Sequence, residues 1–198
     1  MIRRVALLAA TLALALPALP RSAAAQIKDN TALEVTLAWS GDRTNAPPGG
    51  CACFWMQGGK AEASANFGNR FSVVSEIAGE HASNINSAHE SLGLVTYLFG
   101  PRYAWKLHGR FVPFTQFLVG GVHGFDALFP NPDGSTVTPD AFAFAAGGGL
   151  NINVSRHLAI RAFQADYMQT QLPNDSNDEQ NHLRLSGGIV FRVPGRQR

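Results

Sequence analysis

The stretch Ala141 to Val154, AFAFAAGGGLNINV, decides the fold. Phe142, Phe144, Ala146, Gly148, Leu150 and Ile152 alternate with Ala141, Ala143, Ala145, Gly147, Gly149, Asn151 and Asn153. Alternation of period two places the first set on one face of a β-strand and the second, almost all small, on the other. A face that carries phenylalanine opposite a face of small residues makes this the clearest strand in the chain.

Reading outward from this strand, the same period recurs seven more times between turn-rich segments. Leu33, Val35, Leu37 and Trp39 oppose Glu34, Thr36 and Ala38 in a first strand. A second spans about Phe54 to Phe67, and a third begins at Phe71, with Glu76 and Glu80 on its polar side. A fourth is expected over Glu90 to Phe99, ending at Gly100 and Pro101, and a fifth over Gly109 to His123. In the seventh, His157 to Thr170, strict alternation would send Gln164 and Asp166 out with Leu158 and Ile160. A bulge near Ala162–Phe163 is therefore predicted, which returns both to the side of Arg161. The eighth alternates Leu183, Leu185, Gly187, Ile189, Phe191 and Val193 with His182, Arg184, Ser186, Gly188 and Arg192.

The start of the chain reads differently. Arg3 and Arg4, an apolar run from Val5 to Leu19 and the small residues Ala23 to Ala25 form the pattern of a secretory signal peptide, with cleavage expected after Ala25. The apolar run is shorter than the ~18 to 20 residues of a spanning helix. The domain expectation is therefore a signal peptide over 1–25 and one barrel domain over 26–198. Three of the 16 basic residues leave with the signal and none of the 14 acidic ones do, so the remainder is close to neutral. No basic field remains for nucleic acid. Cys51 and Cys53 read as a local disulfide or as free thiols, since a structural zinc needs more ligands than two. No cofactor or metal is expected.

Eight strands with one apolar face fit a closed membrane wall, because in lipid every backbone donor and acceptor must be paired within the protein and a free sheet edge is excluded. The expected fold is all-β, an eight-stranded antiparallel up-and-down transmembrane β-barrel. Its lumen would hold Lys60, Glu62, Glu76, Glu80, Arg110, Gln116, Arg161, Asp166 and Arg184 as a polar plug, too full for a pore of appreciable size. Aromatic belts are expected from Trp39, Trp55 and Tyr167 at the outer rim and from Phe67, Phe71, Phe99, Phe111 and Phe191 at the inner one. The connections 41–51, 81–89, 125–139 and 171–181 would lie outside, and 66–70, 100–108 and 155–157 inside.

The motifs Tyr97-Leu98-Phe99-Gly100-Pro101-Arg102, Gly147-Gly148-Gly149, Gln164-Ala165-Asp166-Tyr167 and Leu183 to Arg192 resemble those of the outer-membrane β-barrel family typified by the transmembrane domain of OmpA and by OmpX. The resemblance covers most of the chain after the signal. It implies residence in the cell outer membrane of a Gram-negative envelope as a monomer, contact with outer-membrane lipid, and a structural or surface-interaction role. It also implies an insertion signal read by the barrel-assembly machinery, at Ser186, Gly188, Phe191 and Val193. The expectation is no enzyme.

Two alternatives compete with this reading. His81-Ala82-Ser83-Asn84 resembles the His-x-Ser-Asn segment of the lipid A 3-O-deacylase family, which would make His81 a base, Ser83 a nucleophile and Glu90 an orienting acid. A soluble periplasmic lipocalin-like barrel would instead turn the apolar face inward to bind a ligand. The outer loops name no ligand.

Overall fold

The computed structural model describes residues 31–45, 53–67, 70–83, 85, 91–105, 109–125, 140–173 and 178–194. They form β1 (Thr31–Thr44), β2 (Phe54–Phe67), β3 (Phe71–Ala82), β4 (Leu92–Ala104), β5 (Phe111–Phe125), β6 (Asp140–Asn153), β7 (Leu158–Thr170) and β8 (Gln180–Pro194). Each strand pairs antiparallel with the next, and β1 pairs with β8 to close the barrel. At 12 to 15 residues the strands exceed the ~9 to 11 needed to cross hydrocarbon. We call the end that carries the connections after β1, β3, β5 and β7 the loop end, and the opposite end the turn end.

Side-chain direction follows the alternation in the sequence. Leu37, Trp39, Ile77, Phe99, Phe142 and Ile189 face outward and are exposed, while Lys60, Glu62, Glu76, Asp166, Arg161 and Arg184 point inward and are buried. The soluble lipocalin-like alternative required the reverse, with the apolar face within; the structure corrects it. The expected bulge is present: Leu150 pairs with Phe163 and Asn151 with Arg161, leaving Ala162 unopposed. The β7–β8 register shifts at the same place, between Arg161 and Gln164. Ala162 and Phe163 are consecutively exposed, and Gln164 and Asp166 return to the lumen.

Strand β4 runs farther than its sequence suggests. Pro101 lacks an amide donor and reads as a stop, yet β4 continues to Ala104. Pro101 faces outward, and the β4–β5 register passes from Phe99↔Val119 to Arg102↔Gln116, stepping over it. The connection expected over Gly100–His108 therefore loses its first part to the strand, and Arg102 becomes a lumen residue.

The lumen has two zones. Toward the loop end, Met56, Leu94, Val122, Met168 and Leu172 pack as an apolar cluster that continues to Leu98 and Leu118. Gln180 ties Leu172 into the mouth: its Nε2 donates to Leu172 O (2.8 Å) and its Oε1 accepts from Leu172 N (3.0 Å). The middle of the lumen is polar, and its turn-end side mixes Ser72, Asn153 and Arg192 with Val74, Val112 and Val190. A wholly polar filling was the expectation; inward leucine and methionine near the loop end are the difference, permitted because eight-stranded interiors are packed with side chains and need no solvent.

Candidate functional site

The polar zone is organised by a conflict that the register creates. Glu62 and Glu76 are direct cross-strand partners, and like charges placed so are destabilising. Lys60 resolves it, with its Nζ 3.0 Å from Glu62 Oε1 and 3.0 Å from Glu76 Oε2. The other Glu62 oxygen accepts from Arg102 Nη2 (2.6 Å) and from Arg161 Nη1 (2.5 Å), and Arg184 pairs with Glu76. One carboxylate thus serves three cations drawn from β2, β4 and β7.

Neutral groups hold these ions in place. Gln116 Oε1 accepts from Arg102 Nε at 2.9 Å. Asn151 and Gln164 accept from Arg161 at 3.1 and 2.7 Å, and Gln164 donates to Asp166 at 2.6 Å. The ring of Phe114 lies 4.6 Å from the Arg102 guanidinium and 4.7 Å from that of Arg161, a cation–π pair inside the wall. The side chains of Lys60, Arg161 and Arg184 have no exposed surface. Buried charges persist only when paired, and each ion of this network, which as a whole draws on seven strands, has an opposite charge within 3.7 Å, while Glu62 Oε1, Arg102 Nη1, Arg161 Nη2 and Arg184 Nε make no hydrogen bond among the described residues.

Of the nine residues expected in the lumen, eight are buried there: Lys60, Glu62, Glu76, Glu80, Gln116, Arg161, Asp166 and Arg184. Arg110 is the correction. It stands half-buried in the bend before β5, where its carbonyl accepts from Asn153 N at 2.8 Å; the strand begins one residue later, so Arg110 never enters the wall. Arg102 occupies the role in its place. Its signal is present in the sequence, since Leu94, Thr96, Leu98, Gly100 and Arg102 keep one period, but Pro101 masks it.

Two further pairs lie apart from the hub. Near the loop end, His182 Nδ1 is 2.8 Å from Asp42 Oδ2, and its Nε2 is 3.1 Å from Thr170 Oγ1. On the turn-end side, Arg192 Nε donates to Glu34 Oε1 at 3.0 Å. Along β8, Ser186 faces the lumen, Gly188 is half-buried, and Phe191 and Val193 are exposed. Cys53 is disulfide-bonded; Cys51 lies outside the described residues.

Among the described residues, those of the hydrolase alternative are not brought together into a site. His81 is the penultimate residue of β3, on its outward face, and Ser83 follows the strand's last residue, Ala82; both are exposed, with no hydrogen bond between them among the described residues. Glu90 lies outside the described residues. Among those described, no group of three or more His, Cys, Asp or Glu side chains is disposed to hold a metal ion.

On the outer wall, Trp39, Trp55 and Tyr167 stand exposed toward the loop end, and Phe67, Phe71, Phe99, Phe111 and Phe191 are likewise exposed. At the turn end the second set is extended by Tyr103 and Trp105. Their rings meet edge to face, Phe71 on Tyr103 at 5.0 Å and Tyr103 on Trp105 at 5.0 Å, while Arg70 donates to the Tyr103 hydroxyl at 3.0 Å. Amphipathic rings in bands of this kind suit the two boundaries between hydrocarbon and water.

Comparison with solved structures agrees with this architecture. Neisserial surface protein A aligns with a TM-score of 0.63 at 11% identity, covering 82% of this chain and 98% of that one. Ail, the attachment invasion locus protein of Yersinia pestis, aligns with a TM-score of 0.56 at 15% identity, covering 81% and 97%. At such identities the likeness is one of fold. No curated protein matches the chain significantly. The family model described as the outer membrane protein beta-barrel domain matches residues 6–191. With a closed wall, an apolar exterior and a lumen of buried ion pairs already in view, that match over nearly the whole sequence places this chain in the outer membrane protein beta-barrel family.

Proposed function

We propose that the protein is a non-conducting outer-membrane barrel whose work is structural or is done by its surface, with no chemistry in the lumen. The observation that carries this reading is the filling of the lumen: ion pairs without exposed surface at mid-wall, and an apolar cluster with Leu172 above them. An ion crossing it would have to break the Glu62 hub and pass Leu98, Leu118 and Met168 in turn. Reconstituted in a planar bilayer, the folded barrel should give no stepwise conductance at about 100 mV while a porin control does; regular open-channel steps from pure protein would sink the reading. Barrel-assembly machinery as a partner, through Ser186, Gly188, Phe191 and Val193, belongs to the same proposal. So does export with loss of residues 1–25.

The deacylase alternative has a direct test. Ser83 and His81 are exposed but unlinked, so neither activates the other. Lipid A from cells expressing the protein should have the same acyl pattern by mass spectrometry as lipid A from cells without it, and Ser83→Ala should change nothing. Loss of one acyl chain that depends on Ser83 would establish the enzyme.

A further inference from the structure

The outer wall is not uniformly greasy. On the β1–β2–β3–β4 face the register lays out a grid of outward side chains: Leu37, Ala61, Ile77 and Tyr97 in one row, and Trp39, Gly59, Gly79 and Val95 in the next toward the loop end. Small residues between large ones make an open trough of about 740 Å³, walled by Leu37, Trp39 and Ile189 on one side and by Ile77 and Val95 on the other. Its lining is apolar almost throughout.

The two glycines in its floor are not demanded by the barrel. A methyl group added at Gly59 would come no nearer than 3.6 Å to any neighbour, and one at Gly79 no nearer than 3.9 Å. Those are ordinary contacts. By contrast, a methyl at the adjacent inward Gly58 would lie 1.8 Å from Gly79 O, and one at Gly188 would lie 2.1 Å from Leu37 O. Packing requires Gly58 and Gly188 and does not require Gly59 or Gly79.

Immediately beyond the trough the outward face changes character. The next row is Gly41, Gln57, His81 and Gly93, and the row after it begins with Arg43 beside Trp55. The Trp39 ring is laid toward the loop end over Gly41, where an added methyl would meet its Cη2 at 2.8 Å. Arg43 is exposed and makes no ion pair or hydrogen bond among the described residues. It stands four residues from Trp39, about 13 Å along the strand at the usual rise. An apolar trough in the hydrocarbon band thus leads up to polar side chains and then to an exposed cation at the level of the headgroups.

We infer that this face is a binding site for an anionic, phosphate-bearing lipid of the leaflet at the loop end, with one acyl chain in the Gly59/Gly79 trough and the phosphate on Arg43. Guanidinium offers phosphate a paired set of donors, and a cation near a membrane surface favours anionic lipid. Gln57 and His81 lie between, where the ester and head begin. A second copy of the chain fits less well: two barrels in one membrane are related by an axis along its normal, which keeps depth and would set Arg43 against Arg43. The inference rests on membership of the family and on the outer wall, and is independent of whether the lumen conducts.

Native mass spectrometry of the folded barrel in a neutral detergent, titrated with dilauroylphosphatidylglycerol or dilauroylphosphatidylcholine, tests it. The wild type should take up the phosphatidylglycerol about fivefold more tightly, the worth of one basic residue at a membrane surface. Arg43→Gln should remove that preference and leave phosphatidylcholine uptake unchanged. The double variant Gly59→Leu and Gly79→Leu should weaken uptake of both lipids, and Phe142→Leu on β6, across the barrel from β2, should alter neither. Heat-modifiable migration shows that each variant is folded; should the double variant fail to fold, Ala61→Leu takes its place. Equal uptake of the two lipids by the wild type, a preference that survives Arg43→Gln, unchanged uptake after the trough is filled, or a dimer in place of a lipid adduct would each overturn the inference.

Discussion

Replacing Glu62 by leucine should lower the unfolding free energy of the bilayer-inserted barrel by about 3 to 5 kcal/mol, the usual cost of breaking a buried ion pair from one side. Glu62 meets Lys60, Arg102 and Arg161 within 3.0 Å, and all four side chains are buried, so its loss leaves three cations short of a partner away from the surface. Lys60 keeps Glu76, and Arg161 keeps Asn151 and Gln164. Among the described residues, Arg102 keeps only the neutral Gln116 and the Phe114 face. Glu62→Gln, which preserves shape and removes the charge, should recover a minority of the loss. Urea titration in dilauroylphosphatidylcholine vesicles, followed by tryptophan emission, measures both. A loss under about 1 kcal/mol, the size of an exposed pair, would mean that water reaches the hub and that the lumen is open.

The second large effect concerns the outside. Leu37 stands midway along β1, facing outward and 54% exposed. Leu37→Arg should cost about 2 to 4 kcal/mol in a bilayer, whereas Leu33→Arg, close to the turn end, should cost at most about 1. The contrast between the two positions is the diagnostic. Arginine on an exposed leucine of a water-soluble barrel costs nothing at either site, so equal and small effects in the same vesicle titration would argue that this face does not meet hydrocarbon. Taken together, the two substitutions assign the solvent on each side of the wall: protein ions within and lipid without.

Much of this architecture is legible in the amino-acid sequence. Period-two alternation survives in a single chain because a wall between lipid and lumen imposes it on every strand, and a slip of one residue would turn each side chain to the wrong solvent. For that reason Ala141 to Val154 can be read alone, and the two consecutive outward residues at Ala162 and Phe163 can be located from the misplacement of Gln164 and Asp166. The strand ends are less legible. Pro101 reads as the close of β4 and Arg110 as part of β5, because local chemistry at a strand end carries no record of which neighbour is paired there.

Alternation, then, is what the residues determine unaided: eight strands, their two faces, and which of the two carries the charge. Which ions meet is a property of closure. Glu62 and Arg161 are 99 residues apart and come together only because β8 returns to β1 with a particular stagger. No spacing along the chain encodes that distance, and the same stagger brings Arg102 into the hub and leaves Arg110 at the rim. The trough beneath Trp39 has the same origin, since glycines on two strands become one surface only after the register sets Gly59 beside Gly79. Local periodicity is written residue by residue, whereas partners across a barrel are chosen by the tilt and shear at which eight strands close.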